Sequence, residues 1–357
     1  MAPSAKVCEE ICKRNSEYVR LLLEGPKTRV GVTPKDVVWS LNKSTLYHYR
    51  PSRKRHYSIP VLIIYALINR PYILDLAPGR SLVSNLVDLG FDVYLLDWGS
   101  PGLEDRGLSF GDYVTKYIPR AVKKIQRLSG SREFTILGYC MGGTMSSMYA
   151  AIYPDAGLKN LILAASPVDF SYHPYFSQWF RNKYFDLDRL VDVLGVIPGQ
   201  MIDWGNKMLK PVQNYLSSEV SLWHNSLNAK FTKDWAPVNK WINDGPNFPG
   251  EAFRQWIGDL YQKNKMVKGE FILNGYNVDL RQIKANLLAI GATQDHIVLP
   301  EQVRAALDCF GSSDKEYYEV DSGHVSLIIS GKAAKKTWPK LTDWLDSRSG
   351  TLISSAG

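Results

Sequence analysis

Apolar residues recur along this chain in two rhythms. At the start, Val7, Ile11, Tyr18, Val19 and Leu22 fall at helical spacing, and Gly25-Pro26 then ends the pattern with two helix breakers. An amphipathic helix over residues 1–25 is expected, docked either on its own domain or on a partner. Beyond it come short continuous apolar runs rich in β-branched and aromatic residues: Val61 to Tyr65, Val93 to Leu96, Phe134 to Leu137, Leu161 to Ala165, Leu287 to Ile290 and Tyr317 to Val320. Each is followed by a turn and a helical pattern, such as Ser81 to Leu89, closed by Gly90, or Tyr113 to Leu128. Uninterrupted apolar strands alternating with helices predict a doubly wound, mostly parallel sheet covered on both faces, an α/β architecture.

The rhythm breaks between Ser171 and about Arg254. This stretch holds Trp179, Trp204, Trp223, Trp235 and Trp241 with several prolines and few strand-like runs. A helical, loop-rich cap inserted over the sheet edge is expected, with most of these tryptophans filling its small core. The predicted organisation is an N-terminal helix at 1–25, one α/β domain at 26–170 and 255–357, and a cap at 171–254. The apolar stretch Ile59 to Ile68 is about half the length of a membrane-spanning helix and contains Pro60, so it reads as a buried strand and no transmembrane segment is expected.

A chain of 357 residues, 45% hydrophobic and 22% charged, can bury a substantial core. Its net charge of +8 would favour any anionic partner, from nucleic acid to coenzyme phosphates. The basic residues are dispersed and no nucleic-acid-binding motif is present, so a solvated, mildly basic surface is the expectation and nucleic acid is not an expected partner. Charged residues interrupt the N-terminal segment, unlike a secretory signal, which points to the cytoplasm. The four cysteines, Cys8, Cys12, Cys140 and Cys309, lack paired spacing and are expected as free thiols. No metal site is expected.

The segment Phe134-Thr-Ile-Leu-Gly-Tyr-Cys-Met-Gly-Gly143 is an apolar strand running through G-x-C-x-G into a small-residue helix. Gly138 and Gly142 permit a tight strand-to-helix turn that lifts Cys140 above the sheet, as in the nucleophile elbow of α/β-hydrolase-fold enzymes. Cys140 would then sit at a helix N-terminus, where the dipole favours a thiolate and the amide of Met141 can face an oxyanion. Cys8, Cys12 and Cys309 carry no such context and read as ordinary thiols.

An elbow requires an acid and then a base on loops after later strands. Asp295 follows Leu287 to Ile290 in Gly291-Ala-Thr-Gln-Asp295, and His324 follows Tyr317 to Val320 in Asp321-Ser-Gly-His324. Of the six histidines, His48, His56, His173, His224, His296 and His324, only His324 follows the last strand. His296 adjoins Asp295 and is expected to support the site from beside it or to be structural. Asp321 lies too near His324 in sequence for the usual geometry. The second oxyanion donor is expected from the loop Ala66-Leu-Ile-Asn69, at the backbone N–H of Ile68 or Asn69, with Asn69 read equally well as a simple turn residue.

Cysteine in place of serine has a chemical consequence. A thiolate attacking an acyl-CoA exchanges one thioester for another and keeps the acyl group activated, which suits repeated transfer to an alcohol better than hydrolysis. A carboxylate behind the histidine should matter most when that alcohol, a weak acid, must be deprotonated.

With Gly138-Tyr-Cys-Met-Gly-Gly143, Asp295-His296 and Gly323-His324 in hand, the chain resembles the polyhydroxyalkanoate synthases, specifically the short catalytic subunits of the two-component classes. Segments Tyr65-Ala-Leu-Ile-Asn-Arg-Pro-Tyr-Ile-Leu-Asp75, Val93-Tyr-Leu-Leu-Asp-Trp-Gly99 and Asn206-Lys-Met-Leu-Lys-Pro211 extend the likeness from about Pro26 to Arg348. The pattern is nearest the Bacillus-type class IV subunit, with class III next. The resemblance implies Cys140 as nucleophile, His324 as general base and Asp295 as the acid. It also implies short-chain 3-hydroxyacyl-CoA substrates, a growing polyester chain, a small second subunit of R type or alternatively E type, a homodimer, and residence on cytoplasmic polyester granules. The long N-terminal extension of single-chain synthases is missing, which fits dependence on a second subunit. No cofactor is implied, coenzyme A being part of the substrate and a product. A thioesterase or cysteine esterase on the same scaffold, and a non-catalytic granule protein, are the competing readings; the last would predict a broken triad.

Overall fold

The computed structural model describes residues 4–53, 55–172, 179–180, 185–209 and 217–354. His173, Lys210 and Pro211 lie outside the described residues.

Eight strands form the central sheet: β1 (Lys35–Leu41), β2 (Ser44–Tyr49), β3 (Val61–Ile64), β4 (Val93–Asp97), β5 (Phe134–Tyr139), β6 (Leu158–Ala164), β7 (Asn286–Ala292) and β8 (Lys315–Val320). Their spatial order is β1-β2-β4-β3-β5-β6-β7-β8. From β4 to β8 every pairing is parallel, while β1 and β2 form an antiparallel hairpin that pairs with β4. All six apolar runs are therefore strands, with boundaries shifted by a few residues. Val61 to Ile64, Phe134 to Tyr139 and Asn160 to Ala164 are buried along their length, as a strand covered on both faces must be.

The β1–β2 hairpin is an element the run-based reading lacks. Its strands are only partly buried and alternate between exposed and inward positions, so they show no continuous apolar run. The available signal was the turn, where Asn42 takes a left-handed φ of 52° between Val37-Val38-Trp39 and Leu46-Tyr47.

The sheet is flanked by helices that begin and end where their local chemistry dictates. In α1 (Ala5–Glu24) Ser4 caps the N-terminus, and in α2 (Leu82–Leu89) Ser81 does so through the amide of Ser84 at 2.8 Å. Gly90 closes α2 with φ 93°, a conformation costly for a residue with a Cβ. A helical segment from Phe110 leads into α3 (Ile118–Ser129), whose Ile118, Ala121, Val122 and Ile125 face the core. From the nucleophile turn runs α4 (Met141–Ile152), with residues Met141 through Ala151 all buried.

Between β6 and β7 lie α5 (Leu187–Leu194), α6 (Gly199–Met208), α7 (Ser217–Asn225) and α8 (Ala229–Ile242), an antiparallel pairing of Val196–Ile197 with Phe248–Pro249, a small hairpin at 272–277 and a helical stretch from Gly250 to Gln262. The expectation that tryptophans fill a small core here needs correction. Trp241 is buried, but Trp179 and Trp204 are exposed, and Trp223 and Trp235 are only partly covered. These helices present one narrow face each, so Trp223 and Trp235 instead cover the N-terminal segment: Trp223 donates to Asn15 at 2.7 Å, and Trp235 packs on Gly25.

The N-terminal helix, in which Leu21 is buried, is thus seated on α7 with polar contacts that include Tyr18 Oη to Glu219 at 2.7 Å. Val7, Ile11, Val19 and Leu22 stay exposed, so that apolar stripe is not part of the chain's own core. No helix among the described residues is long and apolar enough to cross a membrane.

Candidate active site

The strand-to-helix turn after β5 puts Cys140 at the start of α4 with φ 54° and ψ −131°. Strain sits on the cysteine itself, a non-glycine residue held in a sparsely populated region. The two elbow glycines act differently from the sequence expectation: neither has a positive φ, and each is required for room. A Cβ on Gly138 would fall 2.3 Å from the Cα of Gly143, and one on Gly142 would fall 2.1 Å from the carbonyl oxygen of Ile64. Gly143 belongs to the same set, since its Cβ would meet Ser166 Oγ at 2.0 Å. The turn is wedged against the end of β3.

Asp295 lies in the loop after β7 and His324 in the loop after β8, both at the carboxyl edge of the sheet where Cys140 stands. Asp295 is 4% exposed, and each of its oxygens has a task. Oδ1 accepts from the amides of Ile297 (2.8 Å) and Val298 (2.9 Å), which fixes the carboxylate. Oδ2 accepts from His324 Nδ1 at 2.6 Å. That bond sets the imidazole tautomer and leaves the other ring nitrogen free to serve Cys140, whose sulfur lies near enough to act on the imidazole electrostatically. Burial works against an imidazolium here, but the Asp295 carboxylate and the Cys140 sulfur outweigh it, and His324 is held well above the ordinary histidine range.

The other candidates fall elsewhere. Asp321 is exposed and paired with Lys332 at 2.9 Å, not with His324. His48 bonds Asp92 at 2.7 Å, and His56 faces the carbonyl of Tyr57, while His224 lies on exposed α7. His296 is partly exposed beside Asp295. All four cysteines are free thiols. Among the described residues no group of three or more His, Cys, Asp or Glu side chains could hold a metal ion.

Residues without a predicted role complete the surroundings. Tyr139 donates to the carbonyl oxygen of His324 at 2.8 Å, and its ring lies 5.4 Å from the imidazole. Tyr65 stacks on Tyr139 at 5.5 Å. Burial, with the nearby Cys140 and Asp295, raises the phenol of Tyr261 far above its usual range and marks it as a neutral neighbour of the site. Tyr139 lay within the quoted motif; Tyr65 and Tyr261 had no local signal. The loop from Tyr65 to Arg70, which carries Ile68 and Asn69, is bracketed by two indoles: Trp98 Nε1 donates to Tyr65 O at 2.9 Å and Trp241 Nε1 to Arg70 O at 2.8 Å. Asn69 has a φ of 64°, which suits a turn asparagine.

A cysteine elbow at the carboxyl edge of a mostly parallel sheet, with a histidine and a buried carboxylate in line behind it, defines an α/β-hydrolase-fold protein, and residues 59–330 match the family described as alpha/beta hydrolase fold. Residues 26–86 match the poly-beta-hydroxybutyrate polymerase (PhaC) N-terminus. The chain belongs to the PhaC family of poly(3-hydroxyalkanoate) polymerases, which are acyltransferases. It is 38% identical over 330 residues to the poly(3-hydroxyalkanoate) polymerase subunit PhaC of Allochromatium vinosum, covering 92% of each chain. It is 39% identical over 323 residues to the subunit of the same name from Haloferax mediterranei, covering 90% of this chain and 65% of that one, so it spans about two thirds of that relative. Among solved structures, the monoacylglycerol lipase of Paleococcus ferrophilus (TM-score 0.53, 18% identity, 85% of this chain and 99% of that one) shares the fold. So does a thermophilic esterase from Thermogutta terrifontis (TM-score 0.51, 14% identity, 89% and 100%).

Proposed function

We propose that this chain is a catalytic subunit that polymerises (R)-3-hydroxyacyl-CoA, with short acyl groups such as 3-hydroxybutyryl, through an acyl-cysteine thioester. The observation that carries the reading is the hydrogen bond from His324 to the buried Asp295 carboxylate beside the Cys140 elbow, in a chain of the PhaC family. The Cys140 thiolate adds to the thioester carbonyl, the bond from that carbon to the sulfur of coenzyme A breaks, and the proton held by His324 leaves with the departing thiolate. A 3-hydroxyl then attacks the acyl-cysteine and gives its proton to His324. The carbon–sulfur bond to Cys140 breaks as the oxoester forms, and the thiolate–imidazolium pair is restored. Backbone N–H groups of Met141 and of Ile68 or Asn69 are assigned to the carbonyl oxygen at both steps, with Gly138 and Gly142 giving the elbow its room.

The charges suit this two-step use of one histidine. Two groups, Asp295 and Cys140, raise His324 in the free enzyme. Acylation neutralises the sulfur and removes one of them, so His324 becomes easier to deprotonate when a base is next needed. No cofactor beyond the substrate's own coenzyme A enters this scheme. Because relatives bear the name of a subunit, a second small subunit, of R type or alternatively E type, belongs to the proposal. A homodimer working in the cytoplasm at the granule surface, and a class IV rather than class III assignment, are parts of the same reading.

Incubation of the chain, co-purified with its second subunit, with 3-hydroxybutyryl-CoA tests it. Coenzyme A release with insoluble polymer supports the synthase, whereas free 3-hydroxy acid alone would make the chain a thioesterase or cysteine esterase on the same scaffold. Absence of both would leave a non-catalytic granule protein.

A further inference from the structure

We propose that Trp241, in the last turn of α8, is a positioning residue for the second oxyanion donor, holding the Tyr65–Arg70 loop through its indole N–H on the Arg70 carbonyl. The inference rests on the reading of that loop as the source of the donor. The loop leaves β3 and must present an amide toward Cys140 while Asn69 keeps a φ of 64°. Such a conformation persists only where the surroundings over-determine it. Two anchors do this. Trp98 binds the carbonyl of Tyr65 from the core side, and Trp241 binds that of Arg70, the residue next to Asn69, from the cap side. Arg70 is followed by Pro71, which has no amide hydrogen to offer, so the strand-like hydrogen bonding that would otherwise pin this point is unavailable.

The anchors differ in origin. Trp98 directly follows β4 and is buried beside the sheet. Trp241 belongs to a helix outside it, yet its ring is 7% exposed and packs with the main core. With its indole buried, it holds the carbonyl at 2.8 Å beside two ties to the partly exposed Asp244, Tyr72 Oη at 3.0 Å and Arg70 at 3.7 Å. The same helix takes up the end of the N-terminal segment, with Trp235 against Gly25 and Lys240 Nζ on the carbonyl of Thr28 at 2.8 Å. Oxyanion stabilisation depends on donors placed to a fraction of an ångström, so an unanchored loop should lose transfer while the nucleophile stays intact.

Trp241→Phe keeps a ring and deletes only the N–H. Two rates on one preparation separate the possibilities. Alkylation of Cys140 by iodoacetamide needs the thiolate but develops no oxyanion, whereas single-turnover coenzyme A release from 3-hydroxybutyryl-CoA needs both. The expected result is release slowed about tenfold at saturating substrate, with KM little changed and alkylation within about twofold of wild type. Parallel loss of both rates, or unchanged release, overturns the proposal. Release retained in Cys140→Ala would overturn the reading of the site and this inference with it. Should Trp241→Phe fail to fold, benzothienylalanine placed at position 241 by nonsense suppression keeps the bicyclic ring and removes only the N–H, and release relative to alkylation should fall about tenfold; an unchanged ratio overturns the proposal.

Discussion

The turn from β5 into α4 and the layer made by α7 and α8 hold their residues by different means. In the first, every side chain from Met141 to Ala151 is buried, and the glycines leave no space for a methyl group. In the second, Leu222, Pro237 and Trp241 are buried and most other side chains are half covered, tied by single hydrogen bonds to the N-terminal helix and to the loop before Pro71. The first is a steric lock and the second a set of separable contacts, the kind of region that opens at low free-energy cost. The proposed nucleophile, Cys140, stands on the lock. The Tyr65–Arg70 loop and the N-terminal helix hang on the contacts.

The sharpest test of that division is at the lock. Cys140→Ala removes a thiol at a turn and no core filler, so coenzyme A release should vanish while the melting temperature stays within a few degrees. Gly142→Ala forces a methyl to 2.1 Å from a backbone oxygen that cannot swing aside, and about 3 kcal/mol of stability should be lost, read by denaturant unfolding, together with most of the activity.

Next in size is Asp295→Asn. Loss of the carboxylate that orients His324 should slow elongation about 1,000-fold and slow labelling of Cys140 by the first substrate far less, in a comparison of steady-state polymer formation with single-turnover release. Equal losses would place the carboxylate's work at thiolate formation instead. The sign of the pH effect follows from the cause of the shift. Asp295 raises His324, so its removal lowers that pKa, and the rising limb of elongation against pH should move to lower pH even as its plateau falls. A shift upward would contradict the assignment of His324 as the base.

The smallest effects should come from the contacts. Deleting residues 1–24 exposes little beyond the site of Leu21 and breaks a few partly exposed hydrogen bonds, a loss of about 1–2 kcal/mol by thermal melting. If the exposed stripe of Val7, Ile11, Val19 and Leu22 serves a partner subunit, polymer yield in its presence should fall more than the melting temperature does. A drop in stability approaching that of Gly142→Ala would erase the contrast between the two regions.

Most of the sheet was legible because its evidence is local. A strand covered on both faces must be apolar throughout, and Val61 to Ile64 or Phe134 to Leu137 can be read without knowing their neighbours. The hairpin of β1 and β2 escaped because a half-exposed edge alternates and borrows its identity from the strand it joins. The elbow was legible for a related reason: strand, G-x-C-x-G and helix lie within one short segment, and the order Cys140, Asp295, His324 is a property of the covalent chain. That order also rests on the partners being placed on loops after later strands, which the apolar runs mark.

What no local pattern contains is which surfaces meet. Asp295 gives one oxygen to two amides and the other to His324, 29 residues away, and only the parallel pairing of β7 with β8 brings those loops together. The glycines of the elbow looked like a request for unusual dihedral angles, but it is close packing that requires them: Gly142 against the end of β3, and Gly138 against Gly143. Five tryptophans between 179 and 241 are alike in sequence; Trp241 is buried and reaches a carbonyl 171 residues before it, because its helix packs against the segment from Pro71 to Ala77. The sequence by itself determined the parallel strands, the candidate catalytic residues and their order, since periodicity and motif spacing are written in neighbouring positions. The tertiary structure alone decided the hydrogen bond from imidazole to carboxylate and the anchoring of the loop before Pro71, since hydrogen bonds between distant segments exist only once packing has fixed both ends.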